Sequence, residues 1–264
     1  MHEKLFGKWF QEAKESHHQQ FLHAQPYPHL VLDDFLEESI AEECAANFPA
    51  VDDPIWHIYN NPIEKKWACN RIGNLKSAAL REVFAALQAE AFCRLLSEMT
   101  GIESLESDPL LHGGGLHMHP RGTKLDMHLD YSLHPILQKE RRLNLIVYLV
   151  DREWQPEYDG ALQMWDEHME RCVTRVVPKF NRAVVFRVSD ISYHGVPDPI
   201  ACPENMYRKS LATYYLTEPR PNIVMRPKAL FVKRPQDPDD PEMQRLRDIR
   251  AVRRIEETDL ERCQ

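Results

Sequence analysis

The sequence predicts a mainly β protein with added helices, a double-layered β-barrel or jelly roll braced on one side by a helical N-terminal third. Two observations carry this. Up to Pro109 the apolar residues recur at helical spacing; beyond it they fall into seven or eight short runs of β-formers separated by turn residues. A chain with many short strands behind a block of helices closes its sheets into a barrel or sandwich and packs the helices on one face. A β-sandwich without any site satisfies the same pattern.

The elements follow in order. Leu5, Trp9, Phe10, Ala13 and Phe21 mark one apolar stripe, which predicts an amphipathic helix over residues 3–24. Pro26 and Pro28 end it, and His29–Leu32 reads as a short strand. Asp33 and Asp34 are placed to cap a helix from Glu37 to Asn47, which Pro49 stops. A longer helix, rich in Ala, Leu and Glu, is expected from Ser77 to Thr100 with Gly101 at its C-terminal cap. The predicted strands are Leu111–His119, Lys124–Asp130, Arg142–Val150, Ala161–Trp165, Cys172–Val177, Ala183–Val188 and Tyr207–Thr217. Gly113–Gly115, Pro120–Gly122, Asp159–Gly160, Pro178–Asn181 and Gly195–Pro199 supply the turns. From Glu218 prolines take over. The alternating charges of Asp237–Arg262 then read as a solvated helix. The expected organisation is one domain over 1–217, with 1–108 as helical support and 109–217 as the β core, followed by a partly helical extension over 218–264.

Composition narrows the function. With 264 residues, 43% hydrophobic and 28% charged, the chain is neither disordered, collagen-like nor a disulfide scaffold. The net charge, 33 − 41 = −8, disfavours non-specific nucleic-acid binding. Six cysteines, at 44, 69, 93, 172, 202 and 263, form no CxxC pair and read as free thiols of a reducing compartment. No run approaches ~18 consecutive apolar residues, so no membrane span is expected. Glu3 and Glu12 interrupt the N-terminus where a signal peptide carries its apolar core, and the expected location is the cytoplasm.

The chemistry concentrates in His128-Leu129-Asp130. Residues i and i+2 of a strand face the same side, so this imidazole and carboxylate converge while Leu129 packs the other way. A third ligand must come from elsewhere in the sheet, and His194, just after the strand Ala183–Val188, is the candidate. Two histidines and one carboxylate make the facial ligand set of non-haem Fe(II) oxygenases. Asp126 shares the His128 face, so either aspartate can complete the set on spacing alone. His117-Met118-His119 imitates a cupin metal motif but lacks the glutamate that should follow, so these two and His112 read as barrel-lining groups. His17-His18 and His134 read as surface histidines. Trp154, Trp165 and Tyr131 fit either core or substrate mouth, and neither Cys172 nor Cys202 has the histidine partner of a nucleophile.

The order of features around this motif is specific. The His-x-Asp strand precedes Arg142-Leu143-Asn144-Leu145-Ile146-Val147-Tyr148-Leu149, the Asp159-Gly160 turn into Trp165, Ser192-Tyr193-His194-Gly195-Val196, and Arg208-Lys209-Ser210. From Leu111 to Thr217 this resembles the Fe(II)/2-oxoglutarate-dependent dioxygenase superfamily, in its prolyl-hydroxylase-like branch. The resemblance implies a double-stranded β-helix core, and a hydroxylase that couples oxidation of 2-oxoglutarate by O₂, to succinate and CO₂, to hydroxylation of an unactivated C–H bond. It implies His128, Asp130 and His194 as iron ligands, which favours Asp130 over Asp126. Arg208 and Ser210 match the pair that grips the distal carboxylate of 2-oxoglutarate, Tyr148 matches a tyrosine reaching the same carboxylate, and Asn144 is a further pocket residue. Ascorbate is the expected supporting reductant. Asp159-Gly160 stands where a glycine pair is usual and Val150 where asparagine often follows; both changes are expected at the barrel rim. The branch points to a prolyl or other protein side chain as substrate. A small molecule or glycan under the same chemistry, or a catalytically silent ligand-binding barrel, are the other readings.

Overall fold

The computed structural model describes residues 3–11 and 14–260. In chain order its elements are α1 (Lys14–His23), β1 (His29–Leu32), α2 (Glu38–Ala46), β2 (His57–Asn61), β3 (Glu64–Cys69), α3 (Ala78–Gln88), α4 (Glu90–Thr100), β4 (Glu106–Ser107), β5 (Gly115–His119), β6 (Leu125–Leu129), β7 (Glu140–Tyr148), β8 (Leu162–Trp165), β9 (Cys172–Val176), β10 (Ala183–Arg187), β11 (His194–Val196), β12 (Arg208–Thr217), β13 (Leu230–Phe231), α5 (Pro241–Val252) and α6 (Glu257–Leu260). The strands form one curled, nearly closed antiparallel sheet in the order β1-β10-β7-β12-β5-β3-β6-β11-β8-β9, with β13 added to β6, β2 to β3 and β4 to β12. The expected class, a β jelly roll braced by N-terminal helices, is the one observed.

Alternation along the strands makes two cores. Leu143, Leu145 and Val147 of β7, Ala183 and Val185 of β10, and Leu211 and Tyr215 of β12 face outward onto α3 and α4, where they meet Leu80, Val83, Phe84, Phe92 and Leu96. Their neighbours Tyr148, Val184 and Phe186 turn inward to Leu162 and Met164. Both faces are covered, so these strands read as nearly continuous apolar runs. The even positions of β12, from Arg208 to Tyr214, line the inner cavity instead.

Several local expectations give way. The helix over 3–24 is broken into short 3-10 turns and α1. Gly7 donates to the Phe35 carbonyl, and a Cβ there would lie 1.8 Å from the Asp34 carbonyl oxygen, so the backbone docks on the Asp34–Phe35 segment where a helical turn would otherwise continue. Ala13 lies outside the described residues. Glu37, not Asp33 or Asp34, caps α2 by accepting from the Ser39 and Ile40 amides, while Asp33 pairs with Arg182 and Lys179. The expected single helix to Thr100 splits at Ala89, which is extended (φ −67°, ψ 142°) and turns α3 into α4. The hairpin β2–β3 was not anticipated; its turn is set by the Asn61 side chain, which accepts from the Ile63 and Glu64 amides.

The C-terminal helix is not a solvated rod. In α5, Leu246, Arg247 and Arg250 are buried, and the two arginines reach Asp126 and Glu64, each at 3.1 Å. The last two residues of the expected Asp237–Arg262 helix, with Cys263, lie outside the described residues. Among the described residues no helix is long and apolar enough to cross a membrane.

Candidate active site

Antiparallel pairing of β6 with β11 sets His128 opposite His194, and the chain leaving β6 brings Asp130 to the same point. One donor atom from each of the three lies within 4.8 Å of the others, and all three residues are buried. The Asp130 carboxylate oxygens stand 3.7 Å from His128 Nε2 and 3.5 Å from His194 Nε2. Each imidazole is fixed through its other nitrogen: His128 Nδ1 donates to the Asp126 carbonyl at 2.9 Å and His194 Nδ1 to the Ser192 carbonyl at 2.8 Å. That assignment leaves both Nε2 lone pairs directed at the shared point, the tautomer a metal ligand needs. Burial and the neighbouring His194 lower His128 to about 3, so it is neutral near pH 7. Burial pushes Asp130 upward, but His194, His128 and Arg141 outweigh it and hold it at about 2. Two imidazole nitrogens and one carboxylate oxygen, grouped to one side of a cavity, suit a divalent ion of intermediate softness.

Asp130 is itself held at both oxygens. Tyr214 donates its hydroxyl to Oδ1 at 3.0 Å and Asn144 donates Nδ2 to Oδ2 at 3.0 Å; the two donors are cross-strand neighbours on β12 and β7. Asn144 therefore lines the cavity with its hydrogen bond spent on Asp130. Sequence reasoning assigns Tyr214 no role, although it shares the strand face of Arg208 and Ser210. Asp126 stands apart from the three, paired with Lys124 and Arg247, and contributes only its backbone carbonyl.

The other end of the cavity is cationic. Arg208 is 3% exposed; its Nε donates to the Gly160 carbonyl at 2.7 Å and its Nη2 to the Tyr148 hydroxyl at 3.2 Å. Ser210, two residues along the same face, sits opposite Tyr148. Gly160 adopts φ +77°, and a Cβ there would lie 3.1 Å from Arg208 Cδ. The Asp159-Gly160 turn thus seats the arginine and is not a rim feature; Val150, fully buried beside Trp154 and Val196, is not one either. Among the described residues no carboxylate pairs with Arg208. A buried cation without a counter-charge is costly, so this end of the cavity is built to receive an anion.

Of the remaining residues, His117 and His119 line the cavity and burial pushes both well below the ordinary imidazole range. Tyr131 also lines it, whereas Trp154 and Trp165 are core. His134 is 0% exposed rather than a surface group: its Nδ1 accepts from the Ile136 and Leu137 amides and its Nε2 faces Asp108 at 3.2 Å. His17 is likewise buried, near the Trp9 ring. Lining residues with no sequence signal come from the unanticipated hairpin (Tyr59, Glu64, Lys66) and from beyond the barrel (Phe231, Arg250).

Residues 114–216 match the 2OG-Fe(II) oxygenase superfamily. Over these residues the barrel resembles that superfamily. Fe(II), 2-oxoglutarate and O₂ are the groups it uses, and the donor set and the unpaired Arg208 described above fit the first two. Mouse prolyl 3-hydroxylase OGFOD1 is 25% identical over 215 residues, which cover 78% of this chain and 36% of that protein. The chain thus spans about a third of that relative's length. In fold the chain resembles a Trichoplax adhaerens prolyl hydroxylase solved with a hypoxia-inducible-factor peptide (TM-score 0.56, 16% identity, 81% of this chain and 94% of that one). It also resembles a Pseudomonas putida prolyl-4-hydroxylase (TM-score 0.56, 17% identity, 78% and 100%).

Proposed function

We propose that this chain is an Fe(II)- and 2-oxoglutarate-dependent hydroxylase that acts on a prolyl side chain of a protein or peptide. One observation carries the reading: a single buried cavity holds both the His128–Asp130–His194 cluster and, at its other end, a guanidinium with no counter-ion. In this reading the three side chains hold Fe(II) on one face. Arg208, Ser210 and Tyr148 take a carboxylate of 2-oxoglutarate, the planar guanidinium suiting two parallel hydrogen bonds. Burial raises the Tyr148 hydroxyl above its ordinary range, so it stays protonated and donates. With Fe(II), 2-oxoglutarate and O₂ in place, the chemistry supplied is oxidative decarboxylation to succinate and CO₂ with one oxygen atom entering a substrate C–H bond. Asn144 and Tyr214 keep the Asp130 carboxylate oriented throughout, and the apolar wall of Leu125, Ile146, Leu162 and Phe231 excludes water from the reacting centre.

A prolyl substrate is supported by the similarity to the mouse prolyl 3-hydroxylase. The free, largely buried thiols at Cys44, Cys69, Cys93 and Cys202 suit a reducing compartment such as the cytoplasm. The test incubates the protein with Fe(II), ascorbate, 2-oxoglutarate and a proline-containing peptide library. Succinate release with gain of one oxygen on a peptide is expected, and His128→Ala should abolish both. No succinate above the His128→Ala level would refute the enzyme. Oxygen gained by metabolites but by no peptide would refute the substrate.

A further inference from the structure

The strand that carries His128 is completed from outside the family's matched region. On one edge β6 pairs with β11. On the other, β3 reaches only Leu125, and from Met127 onward the edge is taken by the C-terminal segment: Val232 N–H donates to the Met127 carbonyl at 2.9 Å, Phe231 pairs with His128 and Leu230 with Leu129. The Phe231 ring stacks on the His128 imidazole with centroids 5.1 Å apart.

Arg226 extends this contact to Asp130 and to the loop leading into His194. Its Nε donates to the Asp130 backbone carbonyl at 2.9 Å, its Nη1 to the Asp190 carboxylate at 2.6 Å and its Nη2 to the Ser189 carbonyl at 3.3 Å. Ser189 is tied onward: Ser192 Oγ donates to the same Ser189 carbonyl at 3.1 Å, and the Ser192 carbonyl accepts from His194 Nδ1 at 2.8 Å. The backbone of Arg226 is fixed in turn, its N–H donating to Ser132 Oγ at 2.7 Å and its carbonyl accepting from the Ser132 amide at 2.9 Å. One buried guanidinium therefore spans the two separate chain segments that present Asp130 and His194.

Building on the metal-site reading above, we propose that Arg226 is a positioning residue that sets the spacing of the Asp130 and His194 ligands. Partners one step removed from a metal commonly change its affinity by about 10- to 100-fold when lost. Anaerobic titration of the full chain with Co(II), a spectroscopic stand-in for Fe(II), tests this in the wild type and in Arg226→Met, Arg226→Lys, Asp190→Ala and His128→Ala. The expected result is about 10-fold or greater weakening in Arg226→Met with an altered visible Co(II) absorption, partial recovery in Arg226→Lys, and a smaller loss in Asp190→Ala. Merely structural support would lower the melting temperature of the metal-free protein and leave the Co(II) spectrum unchanged. Wild-type affinity and spectrum in both Arg226→Met and Asp190→Ala overturn the proposal. If Arg226→Met does not fold, Asp190→Ala decides, because it removes one of the two contacts that Arg226 makes to the loop, at a half-exposed carboxylate. Failure of the wild type itself to bind Co(II), or equal binding by His128→Ala, overturns the metal-site reading instead.

Discussion

Tyr214→Phe isolates one atom of the site. The phenol donates to Asp130 Oδ1 at 3.0 Å, and its ring lies 3.9 Å from the Arg141 guanidinium carbon. Phenylalanine keeps the ring and the cation–π contact, so only the hydroxyl is lost. A hydrogen bond to an ionised acceptor contributes roughly 1.5–3 kcal/mol, and an outer partner of a metal ligand typically changes affinity by about 10- to 100-fold. Asn144 remains on Oδ2, so the lower end applies: about 10-fold weaker metal binding, equivalent to ~1.4 kcal/mol. Anaerobic Fe(II) or Co(II) titration followed by tryptophan fluorescence reads it directly. Asn144→Ala should act in the same direction, and the double variant should lose more than the sum, because the carboxylate is then free to rotate. Wild-type metal affinity in a folded Tyr214→Phe protein would show that the hydroxyl does not organise the carboxylate.

Three further outcomes are expected. Arg208→Ala should raise the 2-oxoglutarate concentration needed for half-maximal succinate formation by more than about 10-fold while leaving Co(II) affinity within about 3-fold of wild type; equal loss of both would mean the two ends of the cavity are not separate. Arg250→Met leaves buried Glu64 facing Lys66 alone and should cost about 3 kcal/mol in urea unfolding, with much of it restored in Glu64→Gln/Arg250→Met; no recovery in the double variant would argue against a desolvated ion pair. His119 and His128 are held neutral in the fold, whereas the unfolded chain protonates them below about pH 6.5. The unfolded state then binds more protons, so stability of the metal-free protein is full above that pH and falls as pH drops, by about 2 kcal/mol at pH 5 for each such histidine. Asp130, at about 2, titrates below this window. A denaturation midpoint unchanged between pH 7.5 and 5 would contradict the burial of these rings.

How much of this was legible depended on whether the cause was local. Strands β5 to β10 and β12 announce themselves because each is an apolar run between turn residues, and His128-Leu129-Asp130 needs only the period of a strand to put two groups on one face; β11 (His194–Val196) is too short to read this way, and its Gly195-Val196 falls in the expected Gly195–Pro199 turn. The same rule puts Arg208 and Ser210, singled out by the family resemblance, on one face, and it extends to Tyr214, whose hydroxyl finds Asp130 only through the β7–β12 register. The hairpin β2–β3 is polar around its turn, with Asn60, Asn61, Glu64, Lys65 and Lys66, and its apolar residues Ile58, Tyr59, Trp67, Ala68 and Cys69 do not alternate, so periodicity does not find it. Arg226, Arg247 and Arg250 look like solvated charges in a sequence because their partners, Asp130, Asp126 and Glu64, are about 100 or more positions away. The Ala89 break leaves no proline or glycine to read.

The placement of Arg141 explains why Asp130 remains available to a cation. Arg141 is 1% exposed and lies close enough to help hold Asp130 ionised, yet it makes no ion pair with it. Its Nη2 donates to the His112 carbonyl, and its guanidinium is sandwiched against the rings of Tyr131 and Tyr214, 4.7 and 3.9 Å from their centroids. A direct bidentate pair would satisfy both carboxylate oxygens, and an entering metal would then have to displace a buried guanidinium and strand it without a partner, at a cost of several kcal/mol. Neutral donors avoid that competition: Tyr214 and Asn144 orient the carboxylate without cancelling its charge, and the ring of Tyr214 also engages the arginine in a cation–π contact. The separation of roles, with charge supplied at a distance by Arg141 and orientation supplied in contact by neutral groups, makes a definite demand. Tyr214→Ala should let Arg141 fall onto Asp130 and lose far more metal affinity than Tyr214→Phe, whereas two variants with equal affinity would mean that the ring does nothing to keep the arginine away.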